Sequence, residues 1–224
     1  MNHKLLINDL SAFAMDEMIP IVVCTIGSPS LAVLEASLLA YAPTTWLYLN
    51  EVERTTFGQS YNAAMRAAFQ DHEEIIICND DVVLAPDSLK LLLEDVIHLK
   101  SHYGDKLGIV AAMADNARDC QNVRRTQETH CREARAVSPI FAWVSRAAFN
   151  EVQFPPLNWY SDDVLCEDLF RLGYRHFISR SYVHHAGSQT IGTDHEKLNA
   201  EAIPWLIANR PDYVRQWFQG RESK

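Results

Sequence analysis

Apolar runs and helically spaced segments alternate through the first half of the chain. Ile19 to Ile26, IPIVVCTI, is a β-branched run closed by the turn sequence GSPS, and it predicts a buried strand. Pro29 to Ala40 carries leucines at 31, 34 and 38, the spacing of one helix face. Trp46 to Leu49 predicts a short strand, Gly58 to Phe69 an alanine-rich helix, and Ile75 to Cys78 a third strand. A helix over Asp87 to Leu99, with Asp87 as its N-cap, and a strand over Leu107 to Met113 follow. Strand and helix in strict alternation predict an α/β sheet with both faces covered.

The second half reads differently. Ala114 to Arg135 is polar and without a period, which predicts a long loop or mobile insertion. Pro139 to Val144 is apolar, Arg146 to Val152 predicts a short helix, and FPPLNWYSDD is a loop rich in proline and aromatics. A helix over Val164 to Leu172 ends at Gly173. Short strands are expected over Arg175 to Ser179 and Ser181 to His185, and a helical tail over Thr193 to Phe218, interrupted at Pro204 and Pro211.

Composition narrows the function. The chain has 224 residues, enough for one large domain, and a net charge of −9 with histidine neutral. That charge argues against a protein whose main grip is on phosphate backbones, although Arg118, Arg124, Arg125, Arg132 and Arg135 crowd one window. The five cysteines are odd in number and include no Cys-x-x-Cys, which predicts reduced thiols in a cytoplasmic setting. No signal peptide and no run of membrane-spanning length is evident, so no integral membrane segment is expected.

Three polar clusters interrupt this apolar background. In IIICNDDVVLAP, Asn79, Asp80 and Asp81 follow a strand that reads as buried. Adjacent acids repel unless donors or a cation relieve them; one or both cap the following turn, or they hold Mg²⁺ or Mn²⁺. In WYSDDVLCED, Asp162 and Asp163 precede a helix, where the dipole favours acids; one is free to serve as a general base. The flanking Trp159 and Tyr160 offer a stacking face for a sugar ring. In SYVHHAGSQT, His184 and His185 end a strand, and alternation lets at most one of them face a given site.

Taken in order, these segments resemble the family-2 glycosyltransferases, over roughly residues 19 to 218. VVCTIGSP is similar to that family's first strand end, FGQSYNAAMRAAF with Asn62 to its nucleotide-side helix, and Asn79-Asp80-Asp81 to its Asp-x-Asp motif with Asn in first place. IFAWVSRAAFNEVQFPP, YSDDVLCEDLFRLGY, VHHAGSQT and PDYVRQWF resemble its acceptor-side segment, acidic catalytic motif, late metal-ligand histidine and closing helix.

The resemblance implies a GT-A fold, a Rossmann-like α/β mixed sheet flanked by helices in a single domain. It divides the chain into an extension over 1–18, a catalytic domain over 19–192 (nucleotide-sugar half 19–113, acceptor half 114–192) and a helical tail over 193–224. It implies an inverting transfer from a nucleotide sugar, a UDP-sugar being favoured, with Mn²⁺ or Mg²⁺ held by Asp81 and by His185 or His184, the spacing pointing to His185 more than to His184. Thr25, Glu51, Asn62, Asn79 and Asp80 are the expected donor contacts, and Asp162 or Asp163 the base. Trp143, Trp159 and Tyr160 are the expected acceptor-side residues. The acceptor classes open to such an enzyme are a carbohydrate, a lipid-linked sugar and a hydroxylated DNA base. Two rivals are a nucleotidyltransferase, whose basic glycine-rich loop is absent from CTIGSPS, and a non-catalytic carbohydrate-binding protein on a degenerate transferase fold.

Overall fold

The apolar runs face two ways, and each face has its own core. In the computed structural model, which describes residues 19–39, 45–49, 55–126, 128–187 and 194–218, strand β1 (Ile21–Thr25) sends Val22 to one side and Ile21 and Val23 to the other. Strand β3 (Glu74–Asn79) divides the same way, Ile75 and Ile77 against Ile76 and Cys78. All of these side chains are fully buried, which is why the runs are continuous rather than alternating.

The first core packs helices α2 (Phe57–Ala68), α4 (Arg146–Glu151) and α5 (Ser161–Arg171) on one face through Tyr61, Met65, Phe149, Leu165 and Leu169. The second packs α1 (Ser30–Leu38) and α3 (Ser88–Tyr103) on the other through Leu34, Leu38, Leu92, Val96 and Leu99. The remaining strands are β2 (Thr45–Leu49), β4 (Val82–Leu84), β5 (Leu107–Ala114), β6 (Arg132–Ala134), β7 (Phe141–Ser145) and β8 (Arg175–His185). The sheet runs β2-β1-β3-β7-β5-β8-β4, with β6 beside β8. β2, β1 and β3 are parallel; β7 is antiparallel to β3 and β5; β5 and β8 are parallel, and β4 and β6 run against β8. This mixed α/β sheet between helical layers is the architecture expected of a GT-A fold.

Several boundaries differ from the expectation. The acidic pair does not precede α5 but lies inside its first turn, because the helix begins at Ser161. The stretch 175–185 is one strand, not two. Asp87 makes no side-chain cap to α3, which starts on backbone bonds alone. Pro204 does not interrupt the tail: α6 (His195–Asn209) runs through it, and the break comes at Arg210, after which Pro211 opens α7 (Pro211–Phe218). The polar stretch after β5 includes the short strand β6, and its Gln121 is fully buried, with the amide on Ala112 O at 2.6 Å and on Ser138 O at 2.8 Å. The extension over 1–18 and Glu51 lie outside the described residues.

One buried group makes the fold sensitive to acid. His176 on β8 is wholly buried; its Nδ1 accepts the Ile109 N–H at 3.0 Å, so Nε2 carries the proton and donates to Cys166 O at 2.9 Å. Burial, against the pull of that carbonyl, lowers its pKa from 6.5 to about 4. Below pH 6.5 the unfolded chain takes up a proton that the folded state refuses, so stability falls as pH drops from 6.5 towards 4, by up to about 1.4 kcal/mol per pH unit. Urea unfolding of the wild type and of His176→Gln between pH 7 and pH 5 checks this. The wild type should lose more of its midpoint than the variant, and equal losses would contradict the assignment.

Candidate functional site

Strand ends build the site. β1 and β3 are parallel neighbours, so Thr25 and Asn79 finish side by side, and the turn after β3 carries Asp80 and Asp81. The chain then re-enters the sheet as β4, which pairs with β8 in a register that sets Val82 opposite His185. Ala186 N donates to Asp81 O at 3.0 Å and closes that pairing. A cleft of about 1210 Å³ opens above these ends; Thr25, Asn79, Asp80, Asp81 and His185 line one side, and Arg118, Trp159, Asp162 and Asp163 are among the residues lining the rest.

The two adjacent acids are relieved separately. Asp80 Oδ2 accepts the hydroxyls of Thr25 at 2.6 Å and Ser28 at 2.8 Å, and Thr25 Oγ1 in turn accepts Gly27 N at 2.9 Å. Asp80 thus ties the loop after β1 to the loop after β3. Asp81 Oδ1 lies 3.1 Å from His185 Nε2. His185 Nδ1 sits 2.6 Å from Asn116 O, a carbonyl that can only accept, so Nδ1 carries a proton and Nε2 faces Asp81. Burial disfavours the charged ring, but the hydrogen bond and charge of Asp81, with the Asn116 carbonyl, outweigh it and raise the His185 pKa above its ordinary value. Asn116 also donates its amide to His185 O at 2.8 Å and Ala186 O at 3.0 Å, gripping the strand end from both sides.

Asp81 and His185 suit a divalent ion. Two donors at right angles around an octahedral ion at about 2.1 Å stand about 3 Å apart, close to their observed separation of 3.1 Å. Carboxylate and imidazole are the donor set Mn²⁺ accepts. Among the described residues no group of three or more His, Cys, Asp or Glu gathers, so most of the coordination sphere would fall to water and ligand phosphates, as is usual for Mg²⁺-like ions.

The second acidic pair is held by an arginine that sequence spacing did not single out. Arg118 Nη2 donates to Asp162 Oδ2 at 2.6 Å, Nη1 to Asp163 Oδ1 at 2.8 Å, and Nε to Ser138 Oγ at 3.1 Å. Burial would ease the proton off Arg118; the charges of Asp162 and Asp163 overcome this and hold it on more firmly. Burial and the neighbouring Asp162 raise the Asp163 pKa, against the opposing pull of Arg118. The only signal in the chain was the cluster of five arginines, and nothing in it distinguishes position 118.

Three expected site residues lie outside the cleft lining, and two more sit in its wall. His184 points to the opposite face from His185, as strand alternation requires, and its Nδ1 bonds the Asp115 carboxylate, which also accepts Tyr182 OH at 2.9 Å. Asn62 is not a donor contact: its amide bonds Phe154 O at 2.8 Å and accepts Phe154 N at 3.0 Å, pinning the chain after α4 to α2. Trp143 is not on the acceptor side: it is 2% exposed in the second core, with Nε1 on Glu74 Oε2 at 3.0 Å. Tyr160 borders the cleft, but its ring stacks on Trp217 with centroids 6.3 Å apart and meets Phe218 edge-on, while its hydroxyl bonds Asn199 Oδ1 at 3.1 Å. Trp159 lies edge-on to His195 at 5.2 Å in the cleft wall.

No protein-family model and no curated protein sequence matches the chain. Among solved structures it is similar to the A197 protein from STIV, 13% identical, covering 72% of this chain and 81% of that one with a TM-score of 0.52. A glycosyltransferase involved in the glycosylation of the major capsid of PBCV-1 is 10% identical, covering 82% of this chain and all of that one, at a TM-score of 0.47. The first likeness concerns the fold alone, and the second superposition is too loose to bear on fold or function.

Gly58 links α2 to the loop that presents the second acidic pair. A Cβ placed there would stand 1.9 Å from Pro155 O and 2.7 Å from Ser161 Oγ, and Gly58 N already bonds Leu157 O at 3.1 Å. Backbone, not a flexible side chain, is in the way. Gly58→Ala should therefore displace the 155–161 loop and cost about 1–3 kcal/mol, read as a lowered denaturation midpoint. An unchanged midpoint would contradict this close packing.

Proposed function

We propose that the protein is a metal-dependent, inverting glycosyltransferase that moves a sugar from a nucleotide-diphosphate donor, a UDP-sugar being favoured, to an acceptor hydroxyl. One observation carries the reading: an Asp81–His185 pair with the spacing of two ligands of one ion shares a cleft with a second carboxylate pair, Asp162 and Asp163. A cleft of about 1210 Å³ can accept a nucleotide sugar together with part of an acceptor. Support also comes from the order of the motifs along the chain, which resembles that of the family-2 enzymes.

In this reading Asp81 and His185 would hold a Mn²⁺ or Mg²⁺ ion, which would supply Lewis acidity at the donor diphosphate. Asp80 stays with Thr25 and Ser28 and keeps the strand-end loops in place for the nucleotide. A carboxylate of the Asp162/Asp163 pair accepts the proton of the acceptor hydroxyl as its oxygen bonds the anomeric carbon. The bond from that carbon to the diphosphate oxygen breaks on the opposite side, and the configuration inverts. Trp159 supplies the apolar face of the acceptor wall.

A non-catalytic nucleotide-sugar binder is the second reading, favoured by the engagement of both acids by Arg118. Calorimetry with UDP-, GDP- and dTDP-sugars, with and without Mn²⁺, separates the cases. Binding of one donor should require the metal, and Asp81→Ala should abolish the metal-dependent part. Asp162→Asn or Asp163→Asn should leave donor binding intact while lowering transfer about 10²–10⁴-fold. Metal-dependent binding with no turnover on any acceptor would select the binder, and binding indifferent to metal and to Asp81→Ala would overturn both.

A further inference from the structure

We propose that Arg118 is a positioning residue for the acidic pair: its guanidinium fork fixes the orientation of Asp162 and Asp163 and leaves one oxygen of each outside the fork, where an incoming hydroxyl can be met. The proposal takes from the transferase reading only what the acids do, not how they are held.

The geometry is that of a built clamp. Three guanidinium nitrogens are committed, two to different carboxylates and one to Ser138 Oγ. The fork takes Oδ2 of Asp162 and Oδ1 of Asp163, and leaves Asp162 Oδ1 and Asp163 Oδ2 out of its bonds. Arg118 is itself anchored from behind. Its carbonyl accepts Gln121 N at 2.8 Å and Asn122 N at 3.0 Å. Gln121 is locked in the interior between β5 and Ser138, and its Oε1 accepts Ser138 N at 2.8 Å. The buried amide thus fixes both the base of the arginine and the serine that receives its Nε.

The need for such a clamp follows from the helix. Asp162 and Asp163 are consecutive in the first turn of α5, whose N-terminus stabilises negative charge, but two neighbouring carboxylates in a half-buried wall resist ionising together. A lysine would be a single point charge; a planar fork can bridge two carboxylates at fixed angles. Other titratable and charged groups around the pair are Cys166 one turn along α5 and, in the same cleft, Arg125, Asp194, His195, Lys197 and Glu201. Arg118 is the cation in hydrogen-bonding contact with both acids.

The test needs no donor or acceptor. Carboxyl carbon NMR of the Asp-labelled full chain, titrated from pH 3 to 8 in wild type, Arg118→Gln, Arg118→Lys and Asp162→Asn, follows the pair directly. In wild type Asp163 should titrate above the usual aspartate range, raised by burial and by Asp162. In Arg118→Gln the pair should titrate in two steps, the upper raised by about one pH unit or more, and Arg118→Lys should fall between. Asp162→Asn, which removes one negative charge and keeps the arginine, should move Asp163 down. An Arg118→Gln titration that overlays the wild type, or an Asp163 that does not move in Asp162→Asn, would overturn the clamp. Where transfer is measurable, the acid limb of its pH profile should shift with the NMR step in Arg118→Gln, with the donor KM unchanged. A shifted NMR step in a protein without transfer would keep the clamp and reject the transferase reading.

Discussion

The cleft is shaped by how its carboxylates are discharged. Four acids stand in a buried or partly buried wall, where an unrelieved charge is expensive. Each finds a different solution. Asp80 uses two hydroxyls from the loop after β1, Asp81 uses an imidazole from the last strand, and Asp162 and Asp163 share a guanidinium from the loop after β5. Every one of these partners is distant in sequence, and the Asp81–His185 pair also joins the first half of the domain to the second. The electrostatic arrangement and the tertiary structure are the same set of contacts.

This explains which parts were legible in the chain. Strand and helix positions followed from apolar runs because both sheet faces are covered, and Ile75-Ile76-Ile77 could be nothing other than a doubly buried strand. Alternation allowed at most one of His184 and His185 into the site, and the strand turns His185 to Asp81 and His184 to Asp115. Tertiary partners did not follow. Asn62 has the composition of a ligand contact, but its amide is used up on the backbone of Phe154. Trp143 is an indole in an apolar strand, which fits a binding wall and a core equally well until its Nε1 partner Glu74 is known. Arg118 was hidden among four other arginines because its role depends on Gln121 and Ser138, neither of which has any local signature.

Tyr160 brings the tail into the same account. It is the one non-glycine residue with positive φ among the described residues, at 62°, and it occupies the cap position of α5 immediately before the acidic pair. Left-handed backbone costs a tyrosine roughly 1–2 kcal/mol, so neighbouring contacts must hold it there. Those contacts come from the tail: Asn199 on α6, and Trp217 and Phe218 on α7. Behind the cap, Asp168 on α5 is bound by Arg210 at 2.7 Å and by Tyr213, and Arg171 reaches Asp212. The tail therefore grips α5 at both ends, and the first turn that carries Asp162 and Asp163 is held between Arg118 from the domain interior and the aromatic cluster outside. Of the three aromatics expected on the acceptor side, Trp159 and Tyr160 line the cleft while Trp143 is buried in the core, and the tail that holds Tyr160 also sets the cleft wall beside it.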